Sequence, residues 1–223
     1  MSANPRERLR YSRLMLVTDP RPDLSERVRA AVRGGVDIVQ LREKNASAAD
    51  LLPLARELAS ACANYGAIFT INDDIELARL CADNETPADG VHLGQEDATT
   101  AEARRILGNA AIVGRSAGTV EEARQAIIEG ADYLGIGSVY ATPTKLDTDV
   151  GGLDLLRSLS AERPPVPWFA IGGVTLETAA EVASAGAPGF AVVRVVLDAD
   201  DPEAAARELR SRLPEAPQTG DAR

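Results

Sequence analysis

The sequence predicts a single α/β domain, a closed (β/α)₈ TIM barrel, and three observations favour this fold. Short apolar runs alternate with amphipathic stretches rich in Ala, Leu, Arg and Glu along the whole chain, as strand–helix units do. Eight such units fit into the 223 residues, near the lower end of the size range of this barrel. A weak repeat also recurs where helices give way to strands.

The apolar runs have the length and composition of buried parallel strands. They occupy residues 13–19, 37–43, 67–73, 89–95, 111–117, 133–140, 166–173 and 189–195. The stretches between and after them predict helices near residues 23–34, 47–65, 75–82, 99–108, 119–129, 151–160, 175–186 and 202–213. Four of these helices begin after a hydroxyl residue that favours the N-cap position. These residues are Ser47, Thr99, Thr119 and Thr175.

The repeat consists of four tripeptides at which a helix ends and a strand begins. They are Gly35-Val36-Asp37, Pro87-Ala88-Asp89, Gly130-Ala131-Asp132 and Gly186-Ala187-Pro188. A helix commonly ends at a glycine before a buried strand. An open doubly wound sheet is the alternative architecture, but residues 18–22 after the first strand lack the glycine-rich loop of dinucleotide-binding folds.

Composition restricts the class of protein. Hydrophobic residues make up 45% and charged residues 26% of the chain, which excludes a disordered protein. Cys62 and Cys81 are too few for a disulfide framework or a cysteine zinc site, and we expect both in the core. Because there is no membrane-length apolar run and no signal-peptide core, we expect a cytoplasmic protein. The barrel is predicted at residues 13–213, between disordered tails at 1–12 and 214–223.

The charge pattern indicates the kind of partner. A net charge of −10 argues against nucleic-acid binding, but a local cationic cluster still allows phosphorylated small-molecule substrates. Of the 24 basic residues, 22 are Arg and two are Lys. Lys44 and Lys145 therefore mark positions where a compact ammonium group is needed, with chance as the alternative. The sequence predicts no membrane partner, and it leaves a homo-oligomer open.

Reactive groups of a (β/α)₈ barrel lie at the C-terminal ends of its strands. At the end of the second strand, Gln40, Arg42 and Lys44 share one face because strand side chains alternate, whereas Leu41 faces the helices. Polar and cationic side chains at the barrel mouth indicate an anion site. A solvated rim of ion pairs is the alternative.

The ends of the third and fourth strands are rich in oxygen ligands. Asn72 and Asp73 end one run, and Asp97 follows the next. Carboxylates beside a cationic site suit Mg²⁺ that is held jointly by protein and substrate phosphates. Asp73 and Asp97 are the candidate ligands, whereas Asp74 has the alternative role of capping the next helix. The role of His92, the single histidine, stays open.

Two later segments predict phosphate binding. The connection over residues 141–152 is long for a barrel of this size, and such loops act as lids or binding loops; a solvated turn is the alternative. It carries Thr142, Pro143, Thr144 and Lys145. Gly172-Gly173, after the seventh strand, allows close approach of backbone N–H groups at the customary phosphate site of these barrels.

Six separated motifs at the predicted strand ends resemble the thiamine-phosphate synthase family. They are Gln-Leu-Arg-Glu-Lys at 40–44, Asn-Asp-Asp at 72–74, Asp-Gly-Val-His-Leu-Gly-Gln-Glu-Asp at 89–97, Thr-Pro-Thr-Lys at 142–145, Ile-Gly-Gly at 171–173 and Ala-Val-Val-Arg at 191–194. Each motif is weak alone, but six in order are specific and cover the barrel. The resemblance implies a transferase of thiamine biosynthesis.

In that family, 4-amino-2-methyl-5-(diphosphooxymethyl)pyrimidine is coupled to hydroxyethylthiazole phosphate or its carboxylated tautomer, with release of pyrophosphate. The resemblance implies Mg²⁺-assisted dissociative loss of the diphosphate, with one Mg²⁺ per active site bound by Asp73 and Asp97. It implies contacts to the pyrimidine diphosphate from Gln40, Leu41, Arg42, Glu43, Lys44, Asn72, Ser116 and Lys145. Contacts to the thiazole phosphate are implied for Thr142, Pro143, Thr144, Gly173, Val193 and Arg194. Catalytic roles are implied for Arg42, Lys44, Ser116 and Lys145.

The sequence departs from the family pattern at three places. Residues 84–87 form an insertion before the fourth strand, Gly118 replaces a common histidine, and Ser138 replaces a common proline. Two other functions stay open on the same fold, a thiazole tautomerase-like barrel and a non-catalytic sensor of phosphorylated ligands. A phosphosugar isomerase would need an acid–base pair, for which His92 and Glu96 are poorly placed candidates.

Overall fold

The computed structural model describes residues 4–82, 87–141 and 150–214. Its strands are β1 (Leu14–Val17), β2 (Ile38–Leu41), β3 (Ile68–Asn72), β4 (Gly90–Leu93), β5 (Ile112–Ala117), β6 (Tyr133–Ile136), β7 (Trp168–Ile171) and β8 (Phe190–Val192). They form a closed barrel in sequence order. All pairs are parallel, and β1 closes the barrel by pairing with β8 through Leu14 and Phe190. The predicted (β/α)₈ fold is therefore confirmed.

Helices alternate with these strands around the outside of the barrel. In the described part of the chain they are α1 (Pro5–Tyr11), α2 (Leu24–Arg33), α3 (Ala48–Tyr65), α4 (Ile75–Ala82), α5 (Thr100–Leu107), α6 (Val120–Ile128), α7 (Gly152–Glu162), α8 (Ala179–Ser184), α9 (Arg194–Leu197) and α10 (Pro202–Ser211). Within this part, none is long and apolar enough to cross a membrane.

Strand side chains alternate between two apolar layers. Outward-facing residues such as Leu16 and Val39 pack with the helices, in the same core that buries the free thiols Cys62 and Cys81. Inward-facing residues form a second apolar cluster inside the barrel. These are Met15, Val17, Ile38, Ile68, Ile112, Tyr133, Phe169 and Ala191. This cluster packs the barrel interior, as in other barrels of this type, and three of its members, Met15, Val17 and Ala191, border the cavity at the C-terminal end.

The prediction of a disordered tail over residues 1–12 was wrong for residues 5–11, which form α1, and residues 1–3 lie outside the described residues. Leu9 of this helix is buried against the inward-facing core and plugs the N-terminal end of the barrel. Arg6 and Arg8 pair with Asp132 and Asp89 beside it. A short helix is unstable alone, so these distant contacts hold it in place. Of the predicted C-terminal tail, residues 215–223 lie outside the described residues.

The tripeptide repeat has a structural role at the bottom of the barrel. Asp37 accepts a hydrogen bond from the backbone N–H of Arg13 at 2.8 Å. Asp89 and Asp132 accept from the N–H groups of Phe69 and Val113, each at 2.8 Å. Each aspartate before an even-numbered strand thus fixes the start of the strand preceding it.

The helix-start predictions are confirmed at three of the four hydroxyl residues. Ser47, Thr99 and Thr119 accept hydrogen bonds from backbone N–H groups of their first turns. At the fourth, Thr175 begins a turn and α8 starts only at Ala179.

The last predicted strand is also too long. β8 ends at Val192, and the chain turns directly into α9, so Arg194 lies in a helix rather than in a strand.

Candidate active site

A cavity of about 580 Å³ opens at the C-terminal end of the barrel, where the strand ends bring the predicted motifs together. Polar side chains line it from the β2–β5 side. These are Gln40, Arg42, Asn72, His92 and Ser116. Residues 172–175 and 193–195 line it from the β7–β8 side. Val17, Ile171 and Ala191 supply an apolar wall between the two.

The end of β2 is fixed by Thr18 at the end of β1. Its hydroxyl oxygen accepts from the backbone N–H of Arg42 at 2.9 Å, and its own N–H donates to the carbonyl of Gln40 at 2.9 Å. The Gln40 side chain is buried in the cavity floor, with its amide nitrogen 3.8 Å from the sulfur of Met15. Of the three residues predicted to face the barrel mouth, Gln40 and Arg42 therefore line the cavity.

The other three residues of this motif lie elsewhere. Leu41 is buried in the helix-facing core, so its side chain does not reach the cavity, although the resemblance includes it among the pyrimidine diphosphate contacts. The Glu43 carboxylate accepts from the N–H of Asn45 at 2.8 Å. Lys44 is exposed at the rim, and its ammonium acts to lower the pKa of Asp73.

Asp73 and Asp97 bring two carboxyl groups together beside the cavity. Burial raises the pKa of Asp73 to about 6, and contact with the carboxyl of Asp97 adds to this rise. The Asn72 side chain donates to Asp73 at 2.6 Å. Asp73 has a φ of 62°, a left-handed conformation that aspartate tolerates better than most residues. Asp74 instead caps α4 by accepting from the N–H of Leu77 at 2.8 Å.

The two aspartates fit a hard divalent cation, because close carboxylates repel each other until a cation neutralises them. Within the described ranges, no group of three or more His, Cys, Asp or Glu side chains is arranged to hold a metal. The remaining ligands of such a cation would therefore have to come from water or a phosphorylated substrate, as is common for Mg²⁺.

A buried polar network supports the floor of the cavity. Nε2 of His92 lies 2.9 Å from the hydroxyl oxygen of Ser116, and Nδ1 lies 3.1 Å from the phenolic oxygen of Tyr133. Tyr133 also hydrogen-bonds to Gln40 and Thr70, and burial raises the pKa of its phenol. His92, whose role the sequence left open, therefore lies between a cavity hydroxyl and the barrel core.

Two glycines make room for this network. A Cβ at Gly114 would overlap the ring of Tyr133 and lie 2.6 Å from Nδ1 of His92. A Cβ at Gly135 would lie 3.2 Å from Cε1 of His92. Since β4, β5 and β6 are neighbours, the missing side chains create the space that the two rings fill.

The β7–β8 side of the cavity begins with two glycines. Gly172 and Gly173 have φ values of 99° and 70°, and a Cβ at Gly173 would lie 2.6 Å from the Cβ of Tyr140. Val193 and Arg194 line the cavity at the first turn of α9. The predicted thiazole phosphate contacts Gly173, Val193 and Arg194 are thus brought together.

Arginine side chains hold the far end of α9. Arg21 donates to the carbonyl oxygen of Leu197 and to Asp198 at 2.8 Å, and it pairs with Asp19 at 2.6 Å. Arg27 donates to the carbonyl oxygen of Ala199 at 2.8 Å.

Several predicted residues lie outside the described part of the chain. These are Thr142, Pro143, Thr144 and Lys145 of the long loop and residues 84–86 of the insertion. Of the two other departures, Ser138 lines the cavity and donates to the carbonyl of Tyr140 at 3.1 Å. The N–H of Gly118 donates to Glu122 at 2.7 Å.

Sequence reasoning missed Tyr133, Gln95, Arg115 and Arg21. The Gln95 amide donates to the carbonyl of Ser116 at 2.5 Å, and Arg115 donates to the carbonyl of Ala98 at 2.9 Å. No local pattern predicts these contacts, since each joins separate elements. For Arg115 the one sequence signal was an arginine inside an otherwise apolar strand, because arginine is almost never fully buried unless it is paired.

The thiamine monophosphate synthase family model matches residues 14–196. A thiamine-phosphate synthase of Nostoc sp. is 45% identical over 205 residues, which are 92% of this chain and 57% of that protein. The chain therefore spans little more than half the length of this relative. A thiamine-phosphate synthase of Thermobifida fusca is 43% identical over 96% of this chain and 97% of its own length.

Solved structures show the same relationship. Thiamine phosphate pyrophosphorylase from Pyrococcus furiosus superimposes with a TM-score of 0.81 at 37% identity, over 92% of this chain and 96% of that chain. A 3-hexulose-6-phosphate synthase superimposes with a TM-score of 0.63 at 20% identity over 91% of this chain, which shows a shared fold alone.

Proposed function

This chain belongs to the thiamine monophosphate synthase family, and on that premise we propose that it joins a pyrimidine diphosphate to a thiazole phosphate. The products are thiamine phosphate and pyrophosphate. One observation carries the proposal: a single cavity joins a polar side lined by Gln40, Arg42, Asn72 and Ser116 to a second side at Gly172, Gly173 and the start of α9. Such a cavity suits two phosphorylated substrates that meet in its middle.

The pyrimidine diphosphate would occupy the β2–β5 side. Arg42 lines the cavity and Lys44 lies at its rim, so both cations can stabilise charge on the departing diphosphate. Ser116 and Gln40 are held by the buried network around His92 and Tyr133. They would orient the pyrimidine ring, because a preorganised hydrogen bond fixes the reacting carbon.

Mg²⁺ would be held by Asp73 and Asp97, because their carboxyl groups are in contact and the pKa of Asp73 is raised, which fits a divalent cation. When bound, it would supply charge neutralisation for the diphosphate. Asn72 donates to Asp73 and would keep that carboxylate oriented toward the cation.

The thiazole phosphate would occupy the β7–β8 side. Loops after the seventh and eighth strands, with the start of a short extra helix, form the customary phosphate site of these barrels. Gly173, Val193 and Arg194 lie there. The resemblance adds Thr142, Pro143, Thr144 and Lys145, whose roles stay predictions.

The reaction needs no protein nucleophile. Loss of the diphosphate leaves a cation that the electron-rich pyrimidine stabilises, and the thiazole nitrogen then forms the new C–N bond. Val17, Ile171 and Ala191 would keep water away from that cation. The tasks of the protein are therefore to position the substrates, stabilise the leaving group and exclude water.

The test is a coupling assay with the purified chain, both substrates and Mg²⁺, in which the product is oxidised to fluorescent thiochrome. We expect fluorescence that requires every component. Arg42→Met should lower the rate at least tenfold, since it removes a cation near the leaving group, while Arg29→Met on the outer surface of α2 should not.

Absence of product from the folded wild-type chain would contradict the proposal. If that chain still bound the thiazole phosphate, the tautomerase-like or sensor function would be favoured instead. Lys145→Ala should preserve folding and lower coupling. The cytoplasmic location and a homo-oligomeric state stay predictions.

A further inference from the structure

We propose that Arg115 is a positioning residue that holds Asp97 in place for a divalent cation. The inference deepens the proposed function, because it assumes that Asp73 and Asp97 are the cation ligands. Arg115 does not belong to any motif of the family resemblance, and its side chain points away from the cavity. It acts through the loop between β4 and α5, at residues 94–98.

Arg115 occupies a costly position. Ser116, its neighbour in β5, faces the cavity, so alternation turns Arg115 toward the helices. It is only 6% exposed, and its Nε is buried with no hydrogen-bond partner in the described residues. A buried guanidinium with an unsatisfied N–H destabilises a protein unless its other contacts offset the cost. The contact that the structure gives it is the hydrogen bond from Nη1 to the carbonyl of Ala98 at 2.9 Å.

Ala98 directly follows Asp97, so this hydrogen bond fixes the backbone beside the carboxylate. A second anchor lies three residues earlier, where the Gln95 amide donates to the carbonyl of Ser116 at 2.5 Å. Arg115 and Ser116, which are adjacent in β5, therefore anchor the loop on both sides of Asp97. The loop then enters α5 through the capping box of Thr99 and Glu102, which fixes its other end.

The Asp97 side chain is also held from within the loop. Its Oδ2 accepts from the N–H of Gly94 at 2.6 Å, and a Cβ at Gly94 would lie 2.8 Å from the same oxygen. The carboxylate is thereby directed back toward the barrel, where it contacts Asp73.

Like charges at contact explain why this loop needs anchors. Asp73 directly follows β3 and Asp97 lies in the loop between β4 and α5, so repulsion between their carboxylates would displace the loop. Arg115 and Gln95 resist that displacement from β5. Their contacts offset part of the unfavourable free energy of holding the two carboxylates together. Because the fold supplies this free energy before a cation binds, the affinity for the cation increases.

The test measures Mn²⁺ binding, by the loss of its free electron paramagnetic resonance signal, in the presence of inorganic pyrophosphate. Arg115→Met and Arg115→Lys are compared with Arg105→Met, which changes an exposed arginine of α5. We expect Arg115→Met to weaken Mn²⁺ binding roughly tenfold. Arg115→Lys should restore part of the affinity because it keeps one donor, and the Arg105 variant should match the wild type.

A purely structural role would give a different result. If Arg115→Met lowers the urea midpoint but leaves Mn²⁺ affinity unchanged, the inference is overturned. In Arg115→Met the KM for the thiazole phosphate should stay within twofold of the wild-type value. A rise in this KM equal to the loss of Mn²⁺ affinity would also overturn the inference. Should the Met variant fail to fold, Arg115→Lys and Gln95→Leu carry the same comparison.

The coupling assay on the wild-type chain distinguishes failure of the proposed function from failure of the proposed role of Arg115. A wild-type chain that binds Mn²⁺ but gives no thiamine phosphate contradicts the proposed function, while the Mn²⁺ affinities of the variants still decide the role of Arg115. A wild-type chain that couples its substrates but binds no Mn²⁺ overturns the cation site and the role of Arg115 with it.

Discussion

Nε2 of His92 lies 2.9 Å from the hydroxyl oxygen of Ser116, which links the single histidine of the chain to the cavity. On its other side the ring lies 3.1 Å from the hydroxyl of Tyr133. Because Tyr133 is buried and hydrogen-bonded to Gln40 and Thr70, the network fixes the ring from below. The orientation of the Ser116 hydroxyl therefore depends on residues of four other strands, β2, β3, β4 and β6.

Tyr133→Phe should destabilise the protein by about 1–2 kcal/mol, since it leaves buried polar partners unsatisfied. It should also raise the KM for the pyrimidine diphosphate, but less than Ser116→Ala, which removes the cavity hydroxyl itself. Urea unfolding and substrate titrations measure the two effects. Tyr11→Phe, at an exposed tyrosine, is the matched control. A Tyr133→Phe urea curve that overlays the wild-type curve would show that the network adds no stability.

Gly114→Ala should cost at least about 2 kcal/mol of stability, because the added methyl group overlaps Tyr133 and His92. Gly118→Ala is a suitable control, since its Cβ would make ordinary contacts at 3.6 Å. That variant should stay within roughly 0.5 kcal/mol of the wild type. Chemical unfolding measures the stability of both variants. Equal stabilities of Gly114→Ala and Gly118→Ala would disprove the packing argument.

Asp73→Asn should raise the thermal midpoint of the metal-free protein at pH 8, because it removes the repulsion with Asp97. Asparagine also tolerates the left-handed backbone at this position. Added Mg²⁺ and pyrophosphate should stabilise the wild type but not the variant. A variant whose Mg²⁺ titration matches that of the wild type would remove Asp73 from the ligand set.

Arg8→Met should destabilise the protein more at pH 7 than at pH 4. Burial raises the pKa of Asp89 above its usual value, and Arg8 opposes this rise. Without Arg8 the pKa of Asp89 in the folded protein rises further. A carboxyl group whose pKa is raised by folding destabilises the protein progressively as the pH increases from its unfolded-state pKa through its folded-state pKa. We expect a difference of about 1 kcal/mol between the two pH values. The hydrogen bond from Arg8 to Gly66 is independent of pH and cancels in this difference.

Urea unfolding at both pH values measures the effect of Arg8→Met. Arg10→Met, at an exposed position of the same helix, should show no such pH dependence. A loss of stability that is the same at pH 4 and pH 7 would mean that Arg8 does not stabilise the ionised Asp89.

Arg21→Met should raise the KM for the thiazole phosphate several-fold and leave the KM for the pyrimidine diphosphate unchanged. Arg21 ties Leu197 and Asp198 to the β1–α2 connection, so its loss frees the helix at the β8 end of the cavity, and small displacements of binding groups are costly. Varying each substrate in the coupling assay gives both constants. Equal changes in the two KM values would point to a general loss of structure.

The strand–helix order and the strand starts could be predicted because each depends on local patterns, whereas six of the eight predicted strands extend at least two residues beyond the observed end. Alternation within one strand predicts that Gln40 and Arg42 face the cavity and that Leu41 does not. The hydroxyl residues at 47, 99 and 119 predict helix starts for the same reason. The helix over residues 5–11 could not be predicted, since Leu9 is stabilised by the far end of the closed barrel.

The sequence by itself determined the barrel, the order of its polar strand ends and the family resemblance, because these follow from periodicity and from short motifs. Only the tertiary structure decided which distant side chains meet. Strand register and barrel closure bring His92, Ser116 and Tyr133 into one network and place Arg115 against Ala98. Such contacts depend on pairing between separate elements, and no local pattern in the chain specifies that pairing.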